Sequence, residues 1–353
     1  MNTATQYILA IVGFSLIIII HEFGHFIFAK INKIFVEEFF FGMGPKILKF
    51  KSKGGTLWGL CAIPVGGYNK IAGMDREEKI PEERKDNVYY KKSFWVKFSV
   101  IFGGAFMNAV LAVFLILIFF AMGIYSPTNS IDFIEKDSPA QTYGLKVNDR
   151  ILYLNDTKIK SWDDFSVNVK KYPNSEVTFK VLREGKELKI NATLGIKEGS
   201  GYLGISPKIE KVKLGFGGVI KETFKLTGDF IVSYFKLMGM LFTGKLSFAE
   251  ARPVSPIGVV TIFQQSAAMG SQNFIMLVAL VSMMLGLSNL IPLLPFDGGH
   301  ILINIIEAIR KKPVSKKAIQ IFSNVGIVIL ISLFVVGLVF DIIKPINLSL
   351  IHI

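Results

Sequence analysis

His21-Glu22-Phe23-Gly24-His25 sets two imidazoles four residues apart with a carboxylate beside the first. On a helix, positions i and i+4 share one face, so both rings reach one metal ion while Glu22 approaches a water there as general base. That pattern serves zinc-assisted hydrolysis. Catalytic zinc usually takes three protein ligands and keeps a position for water, so a third ligand is required. The chain has one cysteine, Cys61, and four histidines, His21, His25, His300 and His352, so the ligands must be His and carboxylates. Asp297 is the leading candidate. It lies in Asn289-Leu290-Ile291-Pro292-Leu293-Leu294-Pro295-Phe296-Asp297-Gly298-Gly299-His300, where prolines break the helix and Gly298 and Gly299 allow close backbone approach. His300, one turn on, is the rival, and residue types and spacing leave both open.

The elements that must position these groups are apolar. Of 353 residues, 51% are hydrophobic and the mean hydropathy is +0.48, which points to a bilayer before a soluble domain. Residues 7–28, 98–124, 274–294 and 319–340 are each long enough to cross a hydrocarbon core, and the first lacks the flanks of a cleaved signal. Lys30, Lys33, Lys46, Lys49, Lys51 and Lys53 follow the first span, Lys91, Lys92 and Lys97 lead into the second, and Arg310, Lys311, Lys312, Lys316 and Lys317 separate the third from the fourth. By the positive-inside rule both loops are cytoplasmic, and both termini and residues 126–273 lie on the far side. These loops account for the net charge of +13, so nucleic-acid binding is set aside. Spans one and three enter from the same side and carry His21, His25 and Asp297 near their cytoplasmic ends, at similar depth.

The expected fold is therefore an α-helical polytopic membrane protein with four transmembrane helices. Residues 1–30 form the first, 94–125 the second, 273–303 the third with the Asp motif, and 319–353 the fourth with a C-terminal tail. Residues 31–93 read as short cytoplasmic-side strands and turns broken by Gly42, Gly44, Gly66 and Gly67, and residues 304–318 as a basic loop. Strand-like runs at 177–182 and 188–194 mark a small folded domain over 126–205. Residues 206–272 read as a helical linker whose amphipathic part, 215–246, suits the membrane surface or the face of the soluble domain.

HExxH in the first span with Asn289, Pro292, Asp297 and Gly298 in the third resembles the site-2 protease family of intramembrane zinc metalloproteases, in particular the bacterial regulator-of-sigma-factor proteases. The resemblance covers nearly the whole chain and selects Asp297 over His300 as third ligand. It implies a zinc endopeptidase that cuts transmembrane segments in regulated intramembrane proteolysis, with anti-sigma factors and signal peptide remnants as substrates. The order Pro292-Leu293-Leu294-Pro295-Phe296 departs from many relatives, while the spacing from Asn289 to Asp297 is kept. Gly42-Met43-Gly44-Pro45 and Ile63-Pro64-Val65-Gly66-Gly67-Tyr68 resemble the family's membrane-associated β-loop, which receives substrate as an added strand; Gly103, Gly104 and Asn108 resemble its second-span signature. Ser138-Pro139-Ala140, Gly144-Leu145, Asn148-Asp149, Ile151 and Leu154-Asn155 resemble a PDZ domain, an α+β fold that binds extended peptide or filters substrates by size, here extracytoplasmic. The resemblance places the chain in a bacterial cell membrane. A metal transporter would need no Glu between the two His, and an inactive scaffold would usually have lost a ligand or the base.

Overall fold

The computed structural model describes residues 2–76, 80–344 and 346; His352 and most of the C-terminal tail lie outside them. Two compact units result, residues 1–119 with 217–353, and residues 120–216.

In the first unit an almost unbroken apolar run makes α1 (Thr3–Ile31), whose first turn is capped by the Asn2 side chain accepting from Thr5 N at 2.9 Å. Two long strands follow, β1 (Val36–Lys51) and β2 (Leu57–Ile71). Both bend where Gly42, Gly44 and Gly66 take positive φ, so that Phe39 stands opposite Asn69 on one side and Trp58 on the other. The stretch Lys46 to Lys51 pairs with Leu57 to Cys61 beyond the bend. Ile34, Val36 and Ile71 bury against Ala29 of α1 and against Val100 and Ile101 of α2 (Phe94–Ala121), which fixes the hairpin to both helices.

The second unit is an insertion between α2 and the helix that begins at Phe216. It comprises β3 (Ile124–Ile134), α3 (Pro139–Thr142), β4 (Arg150–Leu154), β5 (Thr157–Lys158), α4 (Trp162–Lys170), β6 (Glu176–Arg183), β7 (Lys186–Thr193), β8 (Gly195–Lys197), β9 (Ser200–Tyr202) and β10 (Ile205–Val212). The main sheet runs β10-β3-β4-β6-β7 with β5 on β4, while β8 and β9 form a separate pair. Alternating inward residues Val177, Phe179 and Val181 meet Ile151, Leu154, Phe165 and Leu203 in one core. β10 closes the sheet on β3, so residues 205–212 belong to this unit and not to the helical linker expected over 206–272.

Beside that core, Asp149 is fully buried, and Arg183 Nε and Nη2 each donate to it at 2.7 Å. Removing the cation leaves a carboxylate without its counter-ion. Arg183→Met is expected to destabilise this unit by about 3–5 kcal/mol, read as a lowered midpoint in denaturant unfolding followed by its own Trp162.

Returning to the first unit, α5 (Phe216–Phe242) is long, with Phe216, Phe224, Val232, Phe235 and Phe242 exposed along it. The short α6 (Phe248–Ala251) follows, then α7 (Pro256–Ala268), whose fully buried Phe263 packs on Ala10 and Ile17 of α1 and on Val278 of α8 (Ser271–Asn289). α7 was not foreseen as a separate packed helix. The expected single helix over 273–303 is corrected: α8 stops at Asn289, turns follow, and Asp297 opens α9 (Asp297–Arg310). Pro292 and Pro295 deny the backbone donors a continuous helix needs. Residues 304–310, expected as loop, complete α9. The last helix is α10 (Lys316–Ile343); its Gly326 lies so close to Leu294 O that a Cβ there would overlap it. Among the described residues, α1, α2, α8 and α10 are long and apolar enough to cross a membrane.

Candidate metal centre and catalytic site

Helical spacing on α1 turns His21 and His25 to one side, and the break between α8 and α9 brings Asp297 to meet them. Asp297 Oδ2 lies 3.1 Å from His21 Nε2 and 3.2 Å from His25 Nε2, and the two ring nitrogens are 3.2 Å apart. Both imidazoles are 7% exposed, so water does little to screen the three atoms from one another.

Hydrogen bonds behind the rings fix what faces the centre. His25 Nδ1 lies 2.9 Å from Val100 O and donates to it, which leaves Nε2 a bare lone pair. His21 Nδ1 lies 3.4 Å from the amide of Asn108, whose Oδ1 is otherwise buried with no partner. With that amide turned by 180°, His21 Nδ1–H donates to Asn108 Oδ1 and His21 Nε2 is left bare, while Asn108 Nδ2 takes the position that has no partner. The backbone of Asn108 is held in turn by Ser282 Oγ on α8, which donates to its main-chain carbonyl at 2.9 Å.

With both rings in these tautomers three acceptors face one another, and the buried Asp297 Oδ2 has no polar neighbour to donate to it. Such an arrangement is repulsive unless a cation sits among them. Ligands about 2.0–2.1 Å from one tetrahedral zinc lie about 3.3 Å apart, close to the separations found here, and two nitrogens with one carboxylate oxygen suit zinc. His21, His25 and Asp297 form a group able to hold a metal ion. His300 is not part of it; with Asn304 and Glu307 it lines a cleft of about 600 Å³.

Small residues make room for the pair. A Cβ on Gly24 would lie 2.1 Å from Gly103 O, so α1 and α2 cross with backbones in contact, and Gly104 faces the rings directly. Gly298 is equally confined by the carbonyls of Leu290 and Ile291, which seats the first turn of α9. Asn289 ends α8 and Pro292 sits in the turn beyond; neither is joined to the three clustered atoms by a hydrogen bond among the described residues.

Glu22 is held by a residue that sequence reasoning missed. Asn69 on β2 donates to Glu22 Oε2 at 2.6 Å and to Glu22 O at 3.1 Å. Gly67, two residues earlier on the same face of the strand, comes within 3.9 Å of Glu22 Cγ for a built Cβ, and Gly66 approaches Ile18 of α1. Gly42 and Gly44 are at the bend, where a Cβ on either would meet Ile63 of β2. On the opposite face of the hairpin, Glu38 accepts from Lys46 at 2.7 Å and Tyr68 at 2.8 Å. Burial raises its carboxyl pKa, but these contacts outweigh it and hold the group below the usual range, so the cluster persists at neutral pH and is lost as pH falls through that lowered value.

Comparisons with known proteins agree with the chemistry of this site. Residues 9–333 match the model of Peptidase family M50. The chain is 32% identical over 345 residues to a Clostridium acetobutylicum protein named "Putative zinc metalloprotease", covering 96% of this chain and 98% of that one. It is 29% identical over 402 residues to the Enterococcus faecalis protein named "Probable protease eep", covering 90% of this chain and 93% of that one. Among solved structures, the PDZ domain of an SdrC-like protein from Listeria monocytogenes matches at 18% identity and a TM-score of 0.21, over 24% of this chain and 90% of that one. With a match of this extent and a buried group suited to zinc, the chain belongs to peptidase family M50, the site-2 protease family, and is a zinc metalloprotease and a membrane protein.

Proposed function

We propose that this protein is an intramembrane endopeptidase that hydrolyses peptide bonds within the transmembrane segments of other proteins. The observation that carries the reading is the place of His21, Glu22 and His25 on α1, a helix apolar enough to span, facing Asp297 at the break between two others. Ionisable groups at that depth are costly and are kept for function.

In this reading His21, His25 and Asp297 hold the zinc, and Glu22 is the catalytic base. Zinc, when bound, polarises the scissile carbonyl and lowers the pKa of a water toward about 7. Glu22 takes the proton of the attacking water and passes it to the leaving amine. Asn108 and Val100 fix the ring tautomers. Asn289 and Pro292 shape the turn that presents Asp297.

A transmembrane helix must unwind before a protease reaches its carbonyls, and the freed backbone groups then need partners. The stretch Gly67 to Ile71 of β2 takes its ladder partners from β1, and Gly67 and Asn69 bring it against Glu22. A substrate strand added there would lie beside Glu22, with Gly42, Gly44, Gly66 and Gly67 giving the hairpin its bend. The Lys and Arg distribution supports a cytoplasmic hairpin, with both termini and the PDZ-like unit extracytoplasmic in a bacterial membrane. That unit binds extended peptide or filters by size, and anti-sigma factors or signal peptide remnants fit as substrates.

The test is cleavage of a single-span reporter by the purified full chain in lipid vesicles, with the cut mapped by mass spectrometry. We expect a cut inside the apolar segment, loss of activity on chelation, and recovery with about one zinc per chain. A cut confined to flanking loops, or one indifferent to chelator, would refute the proposal.

A further inference from the structure

We propose that Asn69 is a positioning residue for Glu22, so that the strand which aligns the substrate also aims the base. The inference rests on the reading of Glu22 as general base and goes beyond it by naming what orients that carboxylate.

β2 alternates. Tyr68 and Lys70 point to the charged side of the hairpin, where Tyr68 and Lys46 bond Glu38 and Lys70 Nζ lies 2.5 Å from Glu37 Oε2. Gly67, Asn69 and Ile71 face the other way; Gly67 closes on Glu22 and Ile71 is 4% exposed among apolar neighbours. An amide on that face breaks the local pattern, and such breaks concentrate at functional sites. Among the described residues its side-chain hydrogen bonds go to Glu22. The Asn69 Nδ2 bonds to Glu22 Oε2 and to Glu22 O fasten both the side chain and the backbone of one residue, which leaves the carboxylate little rotational freedom.

Asn69 is itself placed by pairing. Phe39, Phe40 and Phe41 stand opposite Asn69, Tyr68 and Gly67, and Phe39 and Phe40 are almost wholly buried, so the register of this stretch is set by the core. A one-residue slip would turn Asn69 to the charged face and put Tyr68 or Lys70 against α1. A substrate strand added beside this stretch would share that register. One strand thereby fixes the peptide to be cut and the group that activates water for the cut.

Asn69→Ala and the near-isosteric Asn69→Leu test this in vesicles beside wild type and Glu22→Gln. We expect kcat to fall about 10- to 100-fold, KM to stay within about twofold and zinc content to be unchanged. In metal-free protein, which needs no activity, the thermal midpoint should drop by about 2–4 °C on loss of Asn69. That drop should vanish when Glu22 is already Ala, because the two side chains then no longer meet. An unchanged kcat, a raised KM with kcat intact, lost zinc in either variant, or a midpoint shift indifferent to Glu22 would each overturn the proposal. Full cleavage by Glu22→Gln would instead remove the base assignment beneath it, while the metal-free midpoints would still report on the contact.

Discussion

Glu22→Gln is expected to lower cleavage of a transmembrane substrate by about 10²- to 10⁴-fold, the range for loss of a general acid or base, while about one zinc per chain remains. Glutamine keeps the size of the side chain and an oxygen that accepts from Asn69 Nδ2, so the α1–β2 contact survives the change. It cannot take a proton. His21, His25 and Asp297 are untouched, and their atoms remain 3.1–3.2 Å apart around the metal position. Zinc content by elemental analysis together with single-turnover cleavage checks this. Retained zinc with lost cleavage assigns proton transfer to Glu22; lost zinc would make Glu22 part of the binding group.

The second large effect comes from a residue with no functional group. A Cβ at Gly104 would lie 2.5 Å from His25 Nε2 and 2.7 Å from His21 Cε1. Both contacts are with atoms pinned from behind by Val100 and Asn108, so the rings cannot yield without breaking the bonds that set their tautomers. The added methyl must displace a ring or push α2 away from α1, where Gly24 and Gly103 already touch. Misplacement of a reacting group by about 1 Å costs about 10²-fold in rate, and overpacking costs about 1–3 kcal/mol in stability. We therefore expect Gly104→Ala to lose zinc as well as activity, with isothermal titration of zinc into the metal-free protein showing at least about a tenfold weaker site. Undiminished zinc affinity would show that the α1–α2 crossing is slack enough to absorb a methyl.

What could be read from the chain beforehand was what is local. The pairing of His21 with His25 is a matter of helical spacing, and each expected span overlaps one of α1, α2, α8 and α10. Asp297 required one further step, because its approach depends on where a helix breaks; the prolines marked a break, but not that α8 ends eight residues before Asp297 and that a new helix begins at it. Asn69 was not legible. Its bond to Glu22 joins residues 47 apart through the packing of a bent hairpin on α1. Alternation did hold one usable signal, an amide on the face shared with Ile71. α7 escaped for a related reason: its 13 residues are too few to span, so only its burial against α1 and α8 reveals it as part of the helical core.

The second unit begins and ends at one place in its sheet. Ile124 and Tyr125, just after α2, lie opposite Val212 and Lys211, just before α5, in the β3–β10 ladder. Entry and exit of this unit are thus neighbours about 5 Å apart, no farther than the ends of a tight turn. Such a module is a cassette: it can be excised, duplicated or exchanged by recombination with a linker of a few residues, and the chain returns to the same place with its remaining helices in unchanged order. The cassette and the helices that bring His21, His25 and Asp297 together can therefore be altered independently over evolutionary time.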